Sequence, residues 1–118
     1  MSYQLKTKMW LEKENRKVFG DGPWDILKRV ERTGSLRQAA SEINMSYSQA
    51  WRLIKMIEQN LGFPVLERKA GGPSGGHSYL TPQAKLLTAA YDSFRHEVNQ
   101  ALENLYIKHL SPILTPDS

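Results

Sequence analysis

The sequence predicts a mainly helical fold with a small amount of β structure. Apolar residues recur at intervals of three and four in three central segments and in one long segment near the C-terminus, which is the spacing of helix faces. Residues alternate in polarity near the N-terminus, and a glycine-rich stretch precedes the last helix, so two short hairpins are expected. The 118 residues suffice for one small domain with one protruding element.

Composition narrows the function classes. The net charge of +4 suits a polyanionic partner, although many proteins without such a partner are equally basic. The chain has no cysteine, so disulfides, thiolate metal sites and cysteine nucleophiles are excluded. No apolar run approaches the roughly 20 residues of a membrane span. A soluble, cytoplasmic protein without a membrane partner is therefore expected.

Residues 3–19 are predicted to form a β-hairpin that covers one side of the core. Its apolar face alternates with polar residues and comprises Leu5, Thr7, Met9 and Leu11. The turn is expected at residues 14–16 and the return strand at 17–20. The basic residues of this hairpin are expected to be a solvated surface and not a binding site.

The first helix is predicted to open at the Gly-Asp-Gly-Pro stretch of residues 20–23, with Asp21 or Gly22 as its cap, and to end at residues 33–34. Two glycines with one residue between them suggest a dinucleotide-binding loop. The third glycine of that motif is missing and no βαβ unit surrounds it, so this interpretation is rejected.

Residues 35–60 have the pattern of two short helices joined by a tight turn. Ser35 is suited to cap the first helix, Ser46 or Ser48 the second, and Asn44 the left-handed position between them. The first helix has its apolar and small residues at helical spacing: Leu36, Ala39, Ala40 and Ile43. Alanines let two steeply crossing helices approach closely. This is the pattern of a helix-turn-helix, whose second helix enters the DNA major groove; an ordinary helical hairpin is the alternative.

Residues 65–80 predict a long β-hairpin directly after that second helix, which is the position of a wing. Its expected tip, at residues 70–78, is rich in glycine. The spacing Gly71-x-x-x-x-Gly76 is close to that of a phosphate-binding loop, but His77 stands where the essential lysine is required, so a nucleotide site is rejected. A loop without a binding role is the alternative.

Thr81 and Pro82 form a cap and a first-turn proline, and they predict a helix that continues to about Leu110. At ~1.5 Å per residue it would be roughly 40 Å long, more than a domain of this size covers. Its heptad-like apolar seam is expected to bind a second copy of the helix; the alternative is that the helix folds back on its own domain. The seam consists of Leu87, Tyr91, Phe94, Val98, Leu102 and Leu105.

The expected organisation is thus a winged helix-turn-helix domain at residues 1–80, a dimerisation helix at 81–110 and a frayed tail at 111–118. Several short motifs support it: Gly34-Ser35, Ala39-Ala40, Met45-Ser46-Tyr47-x-x-Ala50-Trp51-x-x-Ile54, Leu66-Glu67-Arg68, the glycines of 71–76, and Leu80-Thr81. With these motifs, residues 3–110 resemble the N-terminal DNA-binding domain of ModE-type molybdate-dependent transcriptional regulators, a LysR-type winged helix-turn-helix.

The resemblance implies a homodimer that binds double-stranded DNA at an inverted repeat, through its recognition helices and wings. It also implies a link to genes for the uptake of molybdate or another metal oxyanion. ModE-type regulators carry C-terminal molybdate-binding domains, and no part of this sequence matches one. The chain is therefore expected to be either a stand-alone DNA-binding protein or a fragment of a longer one, with no small-molecule effector site of its own.

Candidate contacts follow from the helix-turn-helix. Ala50, Ile54 and Ile57 form the inward stripe of the second helix, which leaves the remaining positions facing outward. The predicted base contacts are Tyr47, Gln49 and Arg52, because glutamine pairs with adenine and arginine with guanine through two hydrogen bonds. The predicted phosphate contacts are Ser35, Arg37, Ser46, Ser48, Lys55, Arg68, Lys69 and His77. Trp51 is expected to pack under the wing, and contact with the DNA groove is the alternative.

Other classes fit less well. His77, His96 and His109 are scattered, without the spacing of a metal site or of a catalytic pair, so no enzyme, metal or cofactor is expected. An adaptor that uses the same fold to bind protein remains an alternative. The basic Arg52 and Lys55, with no exposed acid expected beside them, favour DNA. The sequence thus predicts a sequence-specific transcriptional regulator.

Overall fold

A computed structural model describes residues 3–69 and 77–116. Within these residues the elements follow one another as β1 (Trp10–Lys13), β2 (Arg16–Gly20), α1 (Asp21–Thr33), α2 (Leu36–Glu42), α3 (Tyr47–Leu61), β3 (Leu66–Lys69), β4 (His77–Leu80), α4 (Pro82–His109) and α5 (Ser111–Leu114). The strands form two separate two-stranded antiparallel sheets. The prediction of a mainly helical, winged helix-turn-helix fold with a long helix near the C-terminus is confirmed.

The N-terminal hairpin is shorter than the sequence pattern predicts. Strand β1 begins at Trp10, which pairs with Gly20 at the far end of β2, so residues 3–9 have no strand left to pair with. Glu14 and Asn15 form the turn with positive φ angles of 53° and 65°, as tight hairpin turns require. Of the predicted apolar face, Leu5 and Leu11 are at least half exposed. Alternation alone therefore overestimated both the strand and its burial.

Helix α1 also begins differently from the prediction. Gly20 is its N-cap, and neither Asp21 nor Gly22 caps it. The Asp21 carboxylate instead accepts hydrogen bonds from the Met9 N–H at 3.0 Å and the Tyr91 hydroxyl at 2.6 Å. Burial and the bond to Asp21 raise the pKa of the Tyr91 phenol, which stays protonated. A side chain that is suited to local capping thus connects three distant segments.

The helix-turn-helix has the predicted caps. The Ser35 hydroxyl accepts from the Gln38 N–H and opens α2, and the Ser46 hydroxyl accepts from the Gln49 N–H and opens α3. The Gln49 side chain accepts in turn from the Ser46 N–H, which completes a capping box. Asn44 adopts the predicted left-handed conformation, with φ of 56°. These local hydrogen bonds determine where α3, the second helix of the helix-turn-helix, starts.

One hydrophobic core joins α1, α2 and α3 to strands β2 and β4 and to the first part of α4. Fully burying a side chain such as Ile54 stabilises the fold by about 1.5–3 kcal/mol. Alanines at the α2–α3 contact are buried, as a close crossing requires. The core residues are Phe19, Ile26, Leu27, Val30, Leu36, Ala39, Ala40, Ala50, Ile54, Ile57, Val65, Leu80, Ala84 and Tyr91.

The wing is anchored at its base. Strands β3 and β4 pair from Leu66 opposite Leu80 to Lys69 opposite His77. The Ser78 N–H donates to the Gly34 carbonyl at 2.9 Å, so β4 is bonded to the turn between α1 and α2. Of the glycine-rich tip predicted at residues 70–78, residues 70–76 lie outside the described residues. The prediction is wrong for His77 and Ser78, which belong to strand β4.

The long helix α4 opens as predicted, with Thr81 as its cap and Pro82 in its first turn. It runs for 28 residues, about 42 Å at ~1.5 Å each. Arg95, in the middle of the helix, donates to the Thr7 carbonyl at 2.6 Å and to Asp21 at 3.2 Å, which holds the N-terminal segment against α4. The predicted frayed tail is wrong for residues 111–114, which form the short helix α5. In the described residues, no helix is long and apolar enough to cross a membrane.

Candidate nucleic-acid interface

The outer face of α3 is open to solvent. Its inward stripe of Ala50, Ile54 and Ile57 is buried, as the spacing predicts. The Arg52 side chain is exposed on the opposite side, and among the described residues it has neither an ion-pair nor a hydrogen-bond partner. A free guanidinium on an exposed helix face is able to form two parallel hydrogen bonds with one acceptor edge.

Gln49 is exposed as predicted, but its side chain is partly in use. Its Oε1 atom accepts from the Ser46 N–H at 3.0 Å as part of the capping box. The amide NH₂ remains available as a donor, whereas pairing with both edge atoms of an adenine requires the acceptor as well. In this rotamer the Gln49 side chain therefore presents its amide donors more freely than its acceptor.

Tyr47 is half-buried, and two arginines approach its ring. The Arg37 guanidinium from α2 lies 4.4 Å from the ring centroid, and the Arg68 guanidinium from β3 lies 5.6 Å away. Arg68 also donates a hydrogen bond to the Tyr47 hydroxyl. Two cations from different elements thus approach the same ring.

Trp51 is half-buried, packs against the core and lies beside the wing. The Arg68 guanidinium is 5.0 Å from its ring and the Lys55 ammonium 4.6 Å. Lys55 also approaches the Glu58 carboxylate at 3.5 Å, although that side chain is only 17% exposed. Glu58 therefore partly offsets the Lys55 charge. The sequence pattern did not predict this contact.

The remaining predicted phosphate contacts lie at the starts of α2 and α3 and on the wing. Ser35 and Ser46 accept hydrogen bonds as caps and keep their hydroxyl protons free to donate, and Ser48 is exposed. Lys69 is on the wing with its ammonium 5.6 Å from the Tyr79 ring, which His77 also approaches at 6.3 Å. These side chains come from α2, α3 and the wing, and the fold brings these elements together on one side.

A second cluster of charged side chains has a structural role. Glu42 at the end of α2 accepts hydrogen bonds from Arg29 and Arg32 of α1. These bonds, the one from Arg29 above all, lower the pKa of the Glu42 carboxylate. The cluster attaches α2 to α1, and its arginines are therefore already neutralised by an acid.

The seam of α4 is divided between the domain and solvent. Leu87 is half-buried and Tyr91 is only 6% exposed, because both pack on the core of their own chain. Val98 and Leu102 are half-buried, while Phe94 and Leu105 are 53% and 51% exposed. Tyr91 thus belongs to the core of its own chain, and the apolar surface open to a partner begins at Phe94.

The fold and this surface define a winged helix-turn-helix protein. Its helix α3, the second helix of the helix-turn-helix, has a free cationic face. The model of the bacterial regulatory helix-turn-helix proteins of the lysR family matches residues 24–85. The chain therefore belongs to the lysR family of bacterial regulatory helix-turn-helix proteins. Membership in a regulatory family also confirms that the chain is not an enzyme.

Three relatives give a narrower likeness, and they confirm the resemblance to ModE-type regulators. The molybdenum-pterin-binding protein MopB of Rhodobacter capsulatus is 35% identical over 67% of this chain and 29% of its own length. The transcriptional regulator ModE of Haemophilus influenzae is 37% identical, over 57% of this chain and 26% of its own. The DNA-binding transcriptional dual regulator ModE of Escherichia coli K12 is 33% identical, over 68% and 31%. The chain thus spans less than a third of the length of these relatives.

Proposed function

We propose that the protein is a sequence-specific DNA-binding transcriptional regulator that acts as a homodimer on an inverted-repeat operator. The observation that carries the proposal is the free Arg52 guanidinium on the exposed face of α3, the helix that also contacts cations of α2 and of the wing. Family membership supports DNA as the partner. We also propose that the protein acts in the cytoplasm, where a bacterial regulator would meet its DNA.

In the proposed complex α3 lies in the major groove. Arg52 would donate to guanine O6 and N7, and Gln49 would donate to a neighbouring base; each good bidentate contact is worth about 1–3 kcal/mol of discrimination. The phosphate contacts would fix the register without reading sequence. They are Ser35, Arg37, Ser46, Ser48, Lys55, Arg68, Lys69 and His77.

The exposed part of α4 supports the homodimer. Phe94, Leu105, Ile107 and Leu110 are each about half exposed on the part of the helix that extends beyond the core. A second copy is the simplest partner for such a surface, since a two-fold interface covers the same residues on both chains. Two recognition helices would then be separated by one or two turns of DNA, at ~34 Å per turn.

The operator is proposed to control genes for the uptake of molybdate or a similar metal oxyanion. The support is the likeness to relatives such as the molybdenum transport protein ModE of Azotobacter vinelandii, which is 34% identical over 68% of this chain. That likeness covers 30% of the relative, so it bears on the DNA target and not on how a signal is sensed.

Selection of bound fragments from bacterial genomic DNA tests the proposal. The selected duplex and a scrambled duplex are then titrated with wild-type protein, with Arg52→Ala and with Lys13→Ala, a matched loss of one exposed cation on the N-terminal hairpin. We expect Arg52→Ala to lose roughly 5- to 100-fold in affinity for the selected duplex and much less for the scrambled one. Lys13→Ala should leave the ratio between the two duplexes unchanged.

Two results would overturn the proposal. One is a wild-type protein that retains no fragment above background. The other is an equal loss of affinity for both duplexes in Arg52→Ala, because a residue that reads a base must affect the two differently.

A further inference from the structure

Cations and aromatic rings alternate along one side of the helix-turn-helix and the wing. In order they are Arg37, Tyr47, Arg68, Trp51 and Lys55, which we call the cation–ring row. The distances from cation to ring centroid along the row are 4.4, 5.6, 5.0 and 4.6 Å. All are within the ~6 Å over which a ring face attracts a cation. The row includes side chains from α2, α3 and β3.

The two rings are held in place by the core. Tyr47 and Trp51 are half-buried and pack against the hydrophobic cluster, whereas the three cations are exposed. The rings are four residues apart on α3, so they lie one turn apart on the same face. Arg68 is within reach of both and donates to the Tyr47 hydroxyl. The half-buried rings thus restrain the positions of the exposed charged side chains.

The arrangement makes a base-reading role for Tyr47 unfavourable. Two guanidinium groups lie 4.4 and 5.6 Å from the ring centroid, and the hydroxyl oxygen already accepts a hydrogen bond from one of them. Entry of Tyr47 into the groove would give up these contacts. Long basic side chains, on the other hand, lose rotamer freedom when they bind, and restraining them beforehand reduces that loss.

We propose that Tyr47 and Trp51 are positioning residues that hold the cations of α2, α3 and the wing in one row against the phosphates of a single DNA strand. This inference rests on the proposed DNA-binding function. It assigns Tyr47 to the placement of charge and leaves the reading of sequence to Arg52 and Gln49. It also explains how the wing is kept in register with the recognition helix, since Arg68 is the residue of β3 that both rings contact.

The test compares Tyr47→Leu, Tyr47→Phe and Arg68→Ala, and the double variant of Tyr47→Leu with Arg68→Ala. Affinities are measured for the selected operator and for a scrambled duplex. Trp10→Leu is the matched control, because the Trp10 ring also carries a cation, Lys17 at 4.4 Å, but lies on the N-terminal hairpin. Thermal unfolding of each variant shows whether the fold is kept.

We expect Tyr47→Leu to weaken binding to both duplexes by the same factor, roughly fivefold. The double variant should lose less than the product of the two single losses, because the ring acts partly through Arg68. Tyr47→Phe keeps the ring and should restore most of the affinity. NMR relaxation of the Arg68 side-chain Nε–H in the free protein should report a restrained group in wild type and a mobile one in Tyr47→Leu. Trp10→Leu should bind like wild type.

Two outcomes would overturn the inference while leaving the proposed function in place. A loss confined to the operator would make Tyr47 a base contact. Losses of Tyr47→Leu and Arg68→Ala that multiply in full, with an unchanged Arg68 relaxation rate, would show that ring and cation act independently. A wild-type protein that binds neither duplex would instead refute the proposed function itself.

Discussion

Arg52 and Gln49 are both exposed on the outer face of α3, but they differ in whether the side chain already makes a hydrogen bond. Arg52 has no bound partner among the described residues, while the Gln49 side chain accepts the capping bond from Ser46. Spacing correctly placed both on the outer face. Position on the face does not show that Gln49 contributes to its own helix cap. A serine followed three residues later by glutamine, as at Ser46 and Gln49, is however the sequence signature of a capping box.

At the same scale, Glu42 should make stability depend on pH. Its hydrogen bonds to Arg29 and Arg32 lower its pKa in the folded protein. A lowered folded pKa stabilises the fold above the ordinary pKa of the unfolded carboxyl, and this contribution is lost as the pH falls through the folded value. Glu42→Gln should therefore be less stable than wild type at neutral pH, and the difference should shrink at an acid pH below the folded pKa of Glu42.

Urea denaturation at the two pH values measures that difference. Glu31→Gln, an exposed acid on α1, is the control and should follow wild type at both. If Glu42→Gln differed from wild type by the same free energy of unfolding at both pH values, the ion pairs would contribute nothing to stability.

At the scale of elements, the start of α3 depends on one hydroxyl. The Ser46 Oγ accepts from the Gln49 N–H at 3.1 Å. Ser48 comes two residues later, within α3, and its side chain is exposed to solvent. Ser46→Ala should lower the free energy of unfolding by about 1 kcal/mol, the usual cost of a lost cap. Ser48→Ala should be neutral or slightly stabilising, because alanine is the better helix former.

Chemical denaturation of both serine variants measures the pair under the same conditions. Equal stability of Ser46→Ala and Ser48→Ala would mean that the cap does not determine where the recognition helix begins.

Elements defined by local signals were the most predictable from sequence. The caps at Ser35, Ser46 and Thr81 depend on bonds within three residues, and all three are present. The N-terminal strand was less predictable, because its length depends on where its partner strand ends. Strand β1 begins at Trp10 because Trp10 pairs with Gly20, the last residue of β2.

Contacts over long sequence separations could not be predicted. Arg68 reaches Tyr47 across 21 residues, and Arg95 reaches Asp21 across 74. Both require the path of the chain in three dimensions, which no local pattern contains. The seam of α4 has the same limit, since a heptad-like repeat looks alike whether Tyr91 faces the core of its own chain or a partner.

At the scale of the whole molecule, the subunit is elongated. Its radius of gyration is 17.9 Å, and its longest extent is 61 Å against 33 and 22 Å. A compact chain of this length would have a radius of gyration of about 13.5 Å. The excess comes from α4, which carries exposed apolar residues such as Phe94, Leu105 and Ile107 beyond the core. Soluble proteins seldom leave such a surface uncovered, and this favours the proposed pairing of two copies.

Hydroxyl-radical footprinting on the selected operator tests the central proposal most directly. We expect wild-type protein to protect two equivalent half-sites related by two-fold symmetry and separated by about one or two helical turns, ~34 Å each. Leu105→Glu, which places a charge in the exposed seam of α4, should protect the same bases only at much higher concentration. A single protected segment without symmetry, or equal protection of any sequence, would contradict a dimer that reads DNA through its paired α3 helices.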